Sequence, residues 1–327
     1  MKPFQFKTSE TLDAILAMNN GYSDVIAGGT NQIDLMKKHI SQPNTLIDVT
    51  KALSAEIEFS KKGLTIGAMV RNTQLTTNGV ILDNYPLIAK AVLAGASPQI
   101  RNMASSAGNL LQRTRCPYFY DNALPCNKRN PGSGCGALKG DNRMAAIVGY
   151  SNQCVAVHPS DFCIALAALD AKVEIVEKDK KSRTIPFNEF HRLPGSNAQR
   201  DTNLPDGAII TAIHLPKNKF NHSNYLKIRD RTSYAFALIS VAAALQLKGN
   251  TIKKARLASG GVAHKPWRWF EAEDYLKGKP ATEEHFKEAG RIVVKDLKPL
   301  SDNGFKVPML EAAVVTSLKD CLTNKTA

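Results

Sequence analysis

DVIAGGTNQIDLMKKH, residues 24–39, decides how the N-terminal part of the chain is read. The apolar run at 25–27 reads as a strand. Two adjacent glycines end it, and NQIDLMKKH follows as a short helix with Ile33 and Met36 on one side. A strand that turns on Gly28-Gly29 into a helix leaves its backbone N–H groups bare, with no Cβ to hold an anion off. Ile26, Ala27, Gly28, Gly29, Thr30, Asn31 and Gln32 are therefore candidate pyrophosphate-cradle residues, and a side chain at either glycine would stand against the phosphates. The spacing is neither that of a P-loop nor G-x-G-x-x-G. Taken alone, the segment is equally well a tight strand–helix turn.

Working outward, strand and helix patterns alternate. PFQFKT, NTLIDV and GLTIGA read as strands. Ser9 is placed to cap a helix carrying Leu12, Ile15 and Leu16, and PLIAKAVLAGA reads as a helix closed by Gly95. A second run of small polar residues, NMASSAGN at 102–109, could clamp the other side of a phosphate-bearing ligand. AAIVG and QCVAV read as strands. Pro159-Ser160-Asp161 opens a helix, KVEIVEKDKKSRTIPF reads as a hairpin, and AIITAIHLP as a strand. Asp161 is either part of a plain helix cap or a partner for a cofactor hydroxyl. Lys227 is either a solvated strand lysine or a site residue.

The polar segment KNKFNHSN at 217–224 marks a boundary. Beyond it come a strand, YLKIRDR, a long hairpin turned at Lys248-Gly249-Asn250, and helical patterns at 268–277, 283–296 and 308–322. Strands first and helices after give an α+β C-terminal domain.

At 43% hydrophobic and 22% charged residues, the 327-residue chain has globular composition and length for about two domains. It has no apolar run of transmembrane length and no N-terminal secretory pattern. The net charge of +14 raises nucleic acid as a partner. The lysines are dispersed and no nucleic-acid motif accompanies them, so an acidic partner or a phosphate-bearing cofactor is the better expectation.

The second unusual stretch is RTRCPYFYDNALPCNKRNPGSGC, residues 113–135, an irregular segment with nine and eight residues between its cysteines. So long an irregular segment needs something to hold it, and its few apolar residues cannot. Cys116, Cys126 and Cys135 offer three thiolates, Gly132 and Gly134 permit tight turns, and Cys154, Cys163 and Cys321 are further thiols. An iron–sulfur cluster, a structural zinc ion, and disulfides or free thiols all remain open on spacing alone.

AGGTN, ASSAGN, PSD and YLKIRDRTSYAFALISVAAAL, in that order over nearly the whole chain, resemble the FAD-binding subunits of the molybdenum hydroxylases, the xanthine dehydrogenase and carbon monoxide dehydrogenase relatives. The resemblance implies an α+β fold: a two-subdomain FAD-binding domain of the vanillyl-alcohol oxidase (PCMH) type over 1–218, with a smaller α+β C-terminal domain over 224–325. It places the pyrophosphate on 27–32, a second cofactor loop on Ser105, Gly108 and Asn109, and further cofactor contacts on Asp161, Ile209, Ile210 and Lys227.

RCPYFYD, PCNKR, PGSGC and HPSD also resemble a subgroup, the flavin subunits of periplasmic bacterial aldehyde oxidoreductases with an extra [4Fe–4S] cluster. That makes about 110–158 an insertion carrying the cluster on Cys116, Cys126, Cys135 and Cys154. If Val155 and Val157 of QCVAV face the core, Cys154 faces away from it, toward the wrapped loop. Cys163 reads as a buried helical thiol, and Cys321 lies in the other domain.

The implied function is electron transfer. A large molybdenum-cofactor subunit oxidises an aldehyde, a small [2Fe–2S] subunit relays electrons, and FAD here passes them to an external acceptor. The three chains would form a heterotrimer, exported folded on a partner's signal. The chain has neither the length for a molybdopterin domain nor a C-x₄-C-x₂-C run. Other expectations are a self-contained flavin oxidase using His264 and Tyr234 as acid and base, and a basic iron–sulfur nucleic-acid-binding protein.

Overall fold

The computed structural model describes residues 1–20 and 23–323. Three sheets organise it. Gln5–Thr8, Thr45–Asp48 and Ser23–Ile26 form a small parallel sheet with Thr45–Asp48 in the middle. Its inner face packs Ile47 against Ile15 and Leu16 of the helix Leu12–Met18. The cap of that helix is Thr11, which accepts from Ala14 N, and not Ser9. The Ser9 hydroxyl is already engaged by the Thr11 backbone. In Gln32–Lys37 the buried pair is Leu35 and Met36, while Ile33 is exposed.

An antiparallel sheet of five strands follows, in the order Ile57–Ser60, Gly63–Gly67, Ile209–Pro216, Lys172–Val176, Ser182–Pro186. The main core lies on it, where Leu64, Ile66, Val173 and Ile213 meet the helices Pro86–Ala94 and Asp161–Ala168. Asp161–Ala168 is buried along its whole length. That fits its run of small and apolar residues, which lacks a polar face.

The third sheet is antiparallel, in the order Trp267–Arg268, Thr251–Gly260, Ile239–Lys248, His222–Ile228. Its long hairpin turns on Gly249, whose φ of +57° suits glycine. The helices Phe270–Leu276, Glu283–Val294 and Lys306–Thr323 follow, with Phe286, Leu310 and Val314 packed on Val241 and Leu257.

The insertion departs from expectation. Neither AAIVG nor QCVAV is a strand. Between 111 and 160 the only regular pieces are one helical turn, Pro117–Tyr120, and one 3-10 turn, Gly136–Leu138. The apolar residues have no ladder partner. Ile147 N instead donates to Val262 O, and His158 N to Ala263 O, so the segment is tied to the C-terminal half by single bonds. Alternating apolar residues mimic a strand, but here they fill gaps between larger elements.

Lys306 fastens the same seam. It is fully buried and donates to Ala145 O at 2.9 Å and Gly261 O at 2.8 Å. Burial, with the nearby Arg143 as a smaller cause, lowers its pKa to about 7. Two carbonyl acceptors need only two N–H bonds, which a neutral amine supplies. The folded state therefore binds fewer protons than the unfolded chain between pH ~7 and ~10, and stability rises through that window by up to ~1.4 kcal/mol per pH unit. Lys306→Met should flatten this rise, measured by denaturant unfolding at pH 7, 8.5 and 10. An unchanged slope would remove Lys306 as its source.

Candidate functional site

One large cleft, of about 1360 Å³, lies where the sheets meet. That exceeds the space a drug-sized ligand takes and suits a dinucleotide. Ala27, Gly28, Gly29, Thr30, Asn31 and Gln32 line it, as do Ser105, Gly108, Asn109, Asp161, Ile209, Ile210 and Lys227. Ile26 does not: its side chain packs with Met36 and Leu46 beneath the loop. It is the last residue of its strand, and the chain turns toward the cleft only after it.

The glycine loop and the second loop are pressed together. A Cβ on Gly28 would overlap the Met103 carbonyl oxygen and come within 3.1 Å of Ala104 Cα. Arg71 donates to that same Met103 oxygen. Gly29 has φ +71°, and a Cβ there would lie 2.9 Å from Ile33 Cδ1. Both loops feed short helices, Gln32–Lys37 and Ser106–Leu110, but the first N–H groups of the second are already taken: Ser106 N donates to Val70 O and Ala107 N to Ala68 O. Ser105 caps the second by accepting from Gly108 N. Gln32 Nε2 donates to Asp24 Oδ2 at 2.7 Å and to Ser41 Oγ at 2.8 Å, which fixes the floor of the first loop.

Two residues named separately from sequence form one unit. Lys227 Nζ lies 2.8 Å from Asp161 Oδ2, and Tyr225 donates its hydroxyl to Oδ1 at 2.7 Å. Lys227 also donates to Ala94 O at 3.0 Å. The lysine side chain is 4% exposed, so it is not a solvated strand residue. Removing one partner of a buried pair leaves an unpaired charge and costs about 3–5 kcal/mol. Lys227→Met should lose about that much, and Asp161→Asn/Lys227→Met should recover part of it. Urea unfolding of the flavin-free variants checks this, and a double variant no better than the single would refute it.

Sequence reasoning missed the arginines. Arg115 donates to Asn31 Oδ1 and to Asp34 Oδ2, both at 3.0 Å, and stands over the Phe236 ring from the C-terminal half. Arg101, Arg113, Arg143 and Arg231 also line the cleft. The available signal was the pair of arginines in RTRC, directly after the second loop. Tyr234 reaches the cleft, but His264 does not. His264 is buried, with Nδ1 2.9 Å from Arg192 O, so the two do not form an acid–base pair there.

The cysteines of the insertion form a second constellation. Cys116, Cys126, Cys135 and Cys154 line one small buried space with Tyr118 and Lys128. Cys126 and Cys135 face each other in an isolated antiparallel bridge. The turn between them wraps the Asn127 side chain, which accepts from Gly132 N and Gly134 N. Both glycines have strongly positive φ, +84° and +93°. Cys154 sits in a turn, and its sulfur accepts from Ala156 N at 3.5 Å. Burial pushes the Cys116 thiol up to about 11 and the Cys154 thiol up to about 12, the latter against the pull of Lys128.

All six cysteines are free thiols. No three of the four insertion sulfurs lie within 4.8 Å of one another. Thiolates on a single zinc ion stand ~3.8 Å apart, given Zn–S bonds of ~2.3 Å. A cubane gives each thiolate its own iron and holds the sulfurs wider apart. Cys163 and Cys321 are fully buried elsewhere.

Residues 2–218 match the family described as the FAD binding domain in molybdopterin dehydrogenase, and residues 224–323 match the CO dehydrogenase flavoprotein C-terminal domain. The chain thus belongs to the FAD-binding subunits of the molybdenum hydroxylases, a family of oxidoreductases. It is 43% identical over 324 residues to the aldehyde oxidoreductase FAD-binding subunit PaoB of Escherichia coli K12, covering 98% of each chain. It is 26% identical to the glyceraldehyde dehydrogenase medium chain of Sulfolobus acidocaldarius, covering 92% of this chain and 90% of that one. Among solved structures, carbon monoxide dehydrogenase of Hydrogenophaga pseudoflava shares the fold, with a TM-score of 0.77 at 20% identity and 99% of both chains covered. FAD is accordingly the dinucleotide to set against the cleft, and the family match displaces the nucleic-acid expectation.

Proposed function

We propose that this chain is the electron-transfer subunit of a molybdenum-containing aldehyde oxidoreductase. It assembles with a small [2Fe–2S] subunit and a large molybdenum-cofactor subunit as a heterotrimer, and delivers electrons through FAD to an external acceptor. The observation that carries this reading is the cleft, in which four sequence-separated motifs converge on one dinucleotide-sized space. The aldehyde class rests on the name of the 43%-identical relative.

Bound FAD supplies one- and two-electron chemistry. The chain's part is to bind and orient it. The N–H groups of residues 28–31 would hold the pyrophosphate, with the Ser105–Asn109 loop walling the opposite side of the cleft and the surrounding arginines offsetting its charge. Asp161, already bonded by Lys227 and Tyr225, presents a fixed carboxylate to a cofactor hydroxyl or amide. Ile209 and Ile210 offer an apolar wall near the isoalloxazine. The cleft's apolar lining limits water.

The parallel three-stranded and antiparallel five-stranded sheets fit the two-subdomain vanillyl-alcohol oxidase (PCMH) plan, with the FAD-binding domain over 1–218 and the C-terminal domain over 224–325. The insertion at about 110–158 holds a [4Fe–4S] cluster on Cys116, Cys126, Cys135 and Cys154, a reading supported by the one small space that the four cysteines line together. Export to the periplasm, folded and on a partner's signal, completes the reading. Cell fractionation with all subunits coexpressed tests it, and purely cytoplasmic protein would oppose it.

Composition is tested on the purified chain by flavin, iron and acid-labile sulfide analysis. About one FAD and four irons per chain are expected for one cubane. Flavin-free protein, or zinc in place of iron, would contradict the reading.

A further inference from the structure

His158, His191 and Cys163 lie outside the four-cysteine constellation, and neither the flavin nor the cluster reading uses them. All three are buried, and one ligand atom from each lies within 4.8 Å of the others. Among the described residues this is the only such group of histidine, cysteine and carboxylate side chains. Cys163 comes from the helix Asp161–Ala168, His158 from the segment leading into it, and His191 from the residue after the helix Phe187–Phe190.

The histidine nitrogens point the same way. His191 Nε2 lies 2.8 Å from Leu110 O. A carbonyl only accepts, so Nε2 carries the hydrogen and Nδ1 keeps its lone pair. That Nδ1 is buried and has no hydrogen-bond partner, and the same holds for His158 Nε2. The two rings stand 4.4 Å apart between centroids, and Phe187 and Phe190 pack edge-on against His191. Buried nitrogens without partners are destabilising and call for an explanation. A histidine that gives its other N–H to a backbone carbonyl is the arrangement found at metal ligands, because the carbonyl fixes ring and tautomer.

We propose that His158, His191 and Cys163 form a second metal site, built for zinc. Two imidazoles and a thiolate are preferred zinc donors. An equilateral triangle of 4.8 Å edge has its centre ~2.8 Å from each corner, so each donor moves by less than ~1 Å to reach bonding distances of ~2.0–2.3 Å. Binding releases the Cys163 thiol proton to solvent as the sulfur–zinc bond forms. His158 lines the cleft, which gives the ion a way in. Cys163 N donates to Ser160 Oγ, and Ser160 donates to Asn109 Oδ1 at 2.6 Å. The ion would therefore pin the back wall of the flavin cleft without touching the reacting atoms.

The test is metal analysis of the full chain after dialysis against Zn²⁺ and then metal-free buffer, together with Co²⁺ titration. Wild type should retain one zinc beyond any at the insertion cysteines, and Co²⁺ should give a near-ultraviolet thiolate charge-transfer band. Cys163→Ala should lose that zinc and that band while keeping iron and sulfide. Cys154→Ser should keep both, which separates this site from the insertion. Should His191→Leu fail to fold, Cys163→Ala carries the result alone, since it removes only a buried sulfur. No extra zinc and no charge-transfer band in wild type, or the same zinc and band in Cys163→Ala, would overturn the proposal.

Discussion

Gly28→Val should leave the protein without flavin, with affinity reduced at least ~100-fold, or about 2.7 kcal/mol. The cause differs from the one the sequence suggested. A Cβ at Gly28 does not stand against the phosphates; it overlaps the Met103 carbonyl, which Arg71 holds in place. Backbone cannot rotate away as a side chain can, so the two loops must separate, and the N–H groups of the glycine loop move away from the opposite wall of the cleft. Gly29→Val acts by another route: φ of +71° is strained for a β-branched residue. Gly79→Ala is the control, since a Cβ there meets nothing within 4 Å, and full flavin content is expected. The readout is flavin released on denaturation per mole of protein. Full occupancy in Gly28→Val would remove the two-loop cradle from the account.

Cys116→Ser, Cys126→Ser, Cys135→Ser and Cys154→Ser should each lose most of the iron and sulfide, whereas Cys321→Ser and Cys163→Ser should retain both. The four sulfurs share one buried space whose wall is irregular backbone, with little apolar core of its own. Losing a ligand therefore removes much of what holds the loop, and faster proteolysis within 113–135 should accompany the loss of iron. Cys321 is buried in the C-terminal core, with its sulfur 3.5 Å from Ala243 O. Cys163 lies in the helix behind the cleft. Retained iron in Cys154→Ser with lost iron in Cys163→Ser would move the fourth ligand.

What could be read from the sequence follows what local physics controls. The long hairpin over 239–260 and the three C-terminal helices were legible because apolar periodicity and a Gly turn act within a few residues. The glycine loop was legible as a turn, but its close approach to Met103 was not, because that contact joins segments about 75 residues apart. AAIVG and QCVAV misled because their burial does not come from a sheet: Ile147 packs in the C-terminal core, and Val155 packs on Ala137 and Ala145 of the insertion itself. Cys154 still reaches the cysteine space although its strand does not exist. Lys227 looked ordinary because its partner, Asp161, lies 66 positions away. The arginines around the cleft were invisible as a group because the fold gathers them from both halves of the chain.

The central claim is that this chain carries electrons and does not itself oxidise the aldehyde. Anaerobic addition of an aromatic aldehyde, while the flavin absorbance is followed, tests it most directly. In the assembly copurified with the small and large partner chains, the flavin band should bleach. In the isolated flavin-loaded chain it should not change, because the account places aldehyde oxidation in the large partner chain. Bleaching of the isolated chain by aldehyde, or an intact assembly whose flavin never bleaches, would contradict the account.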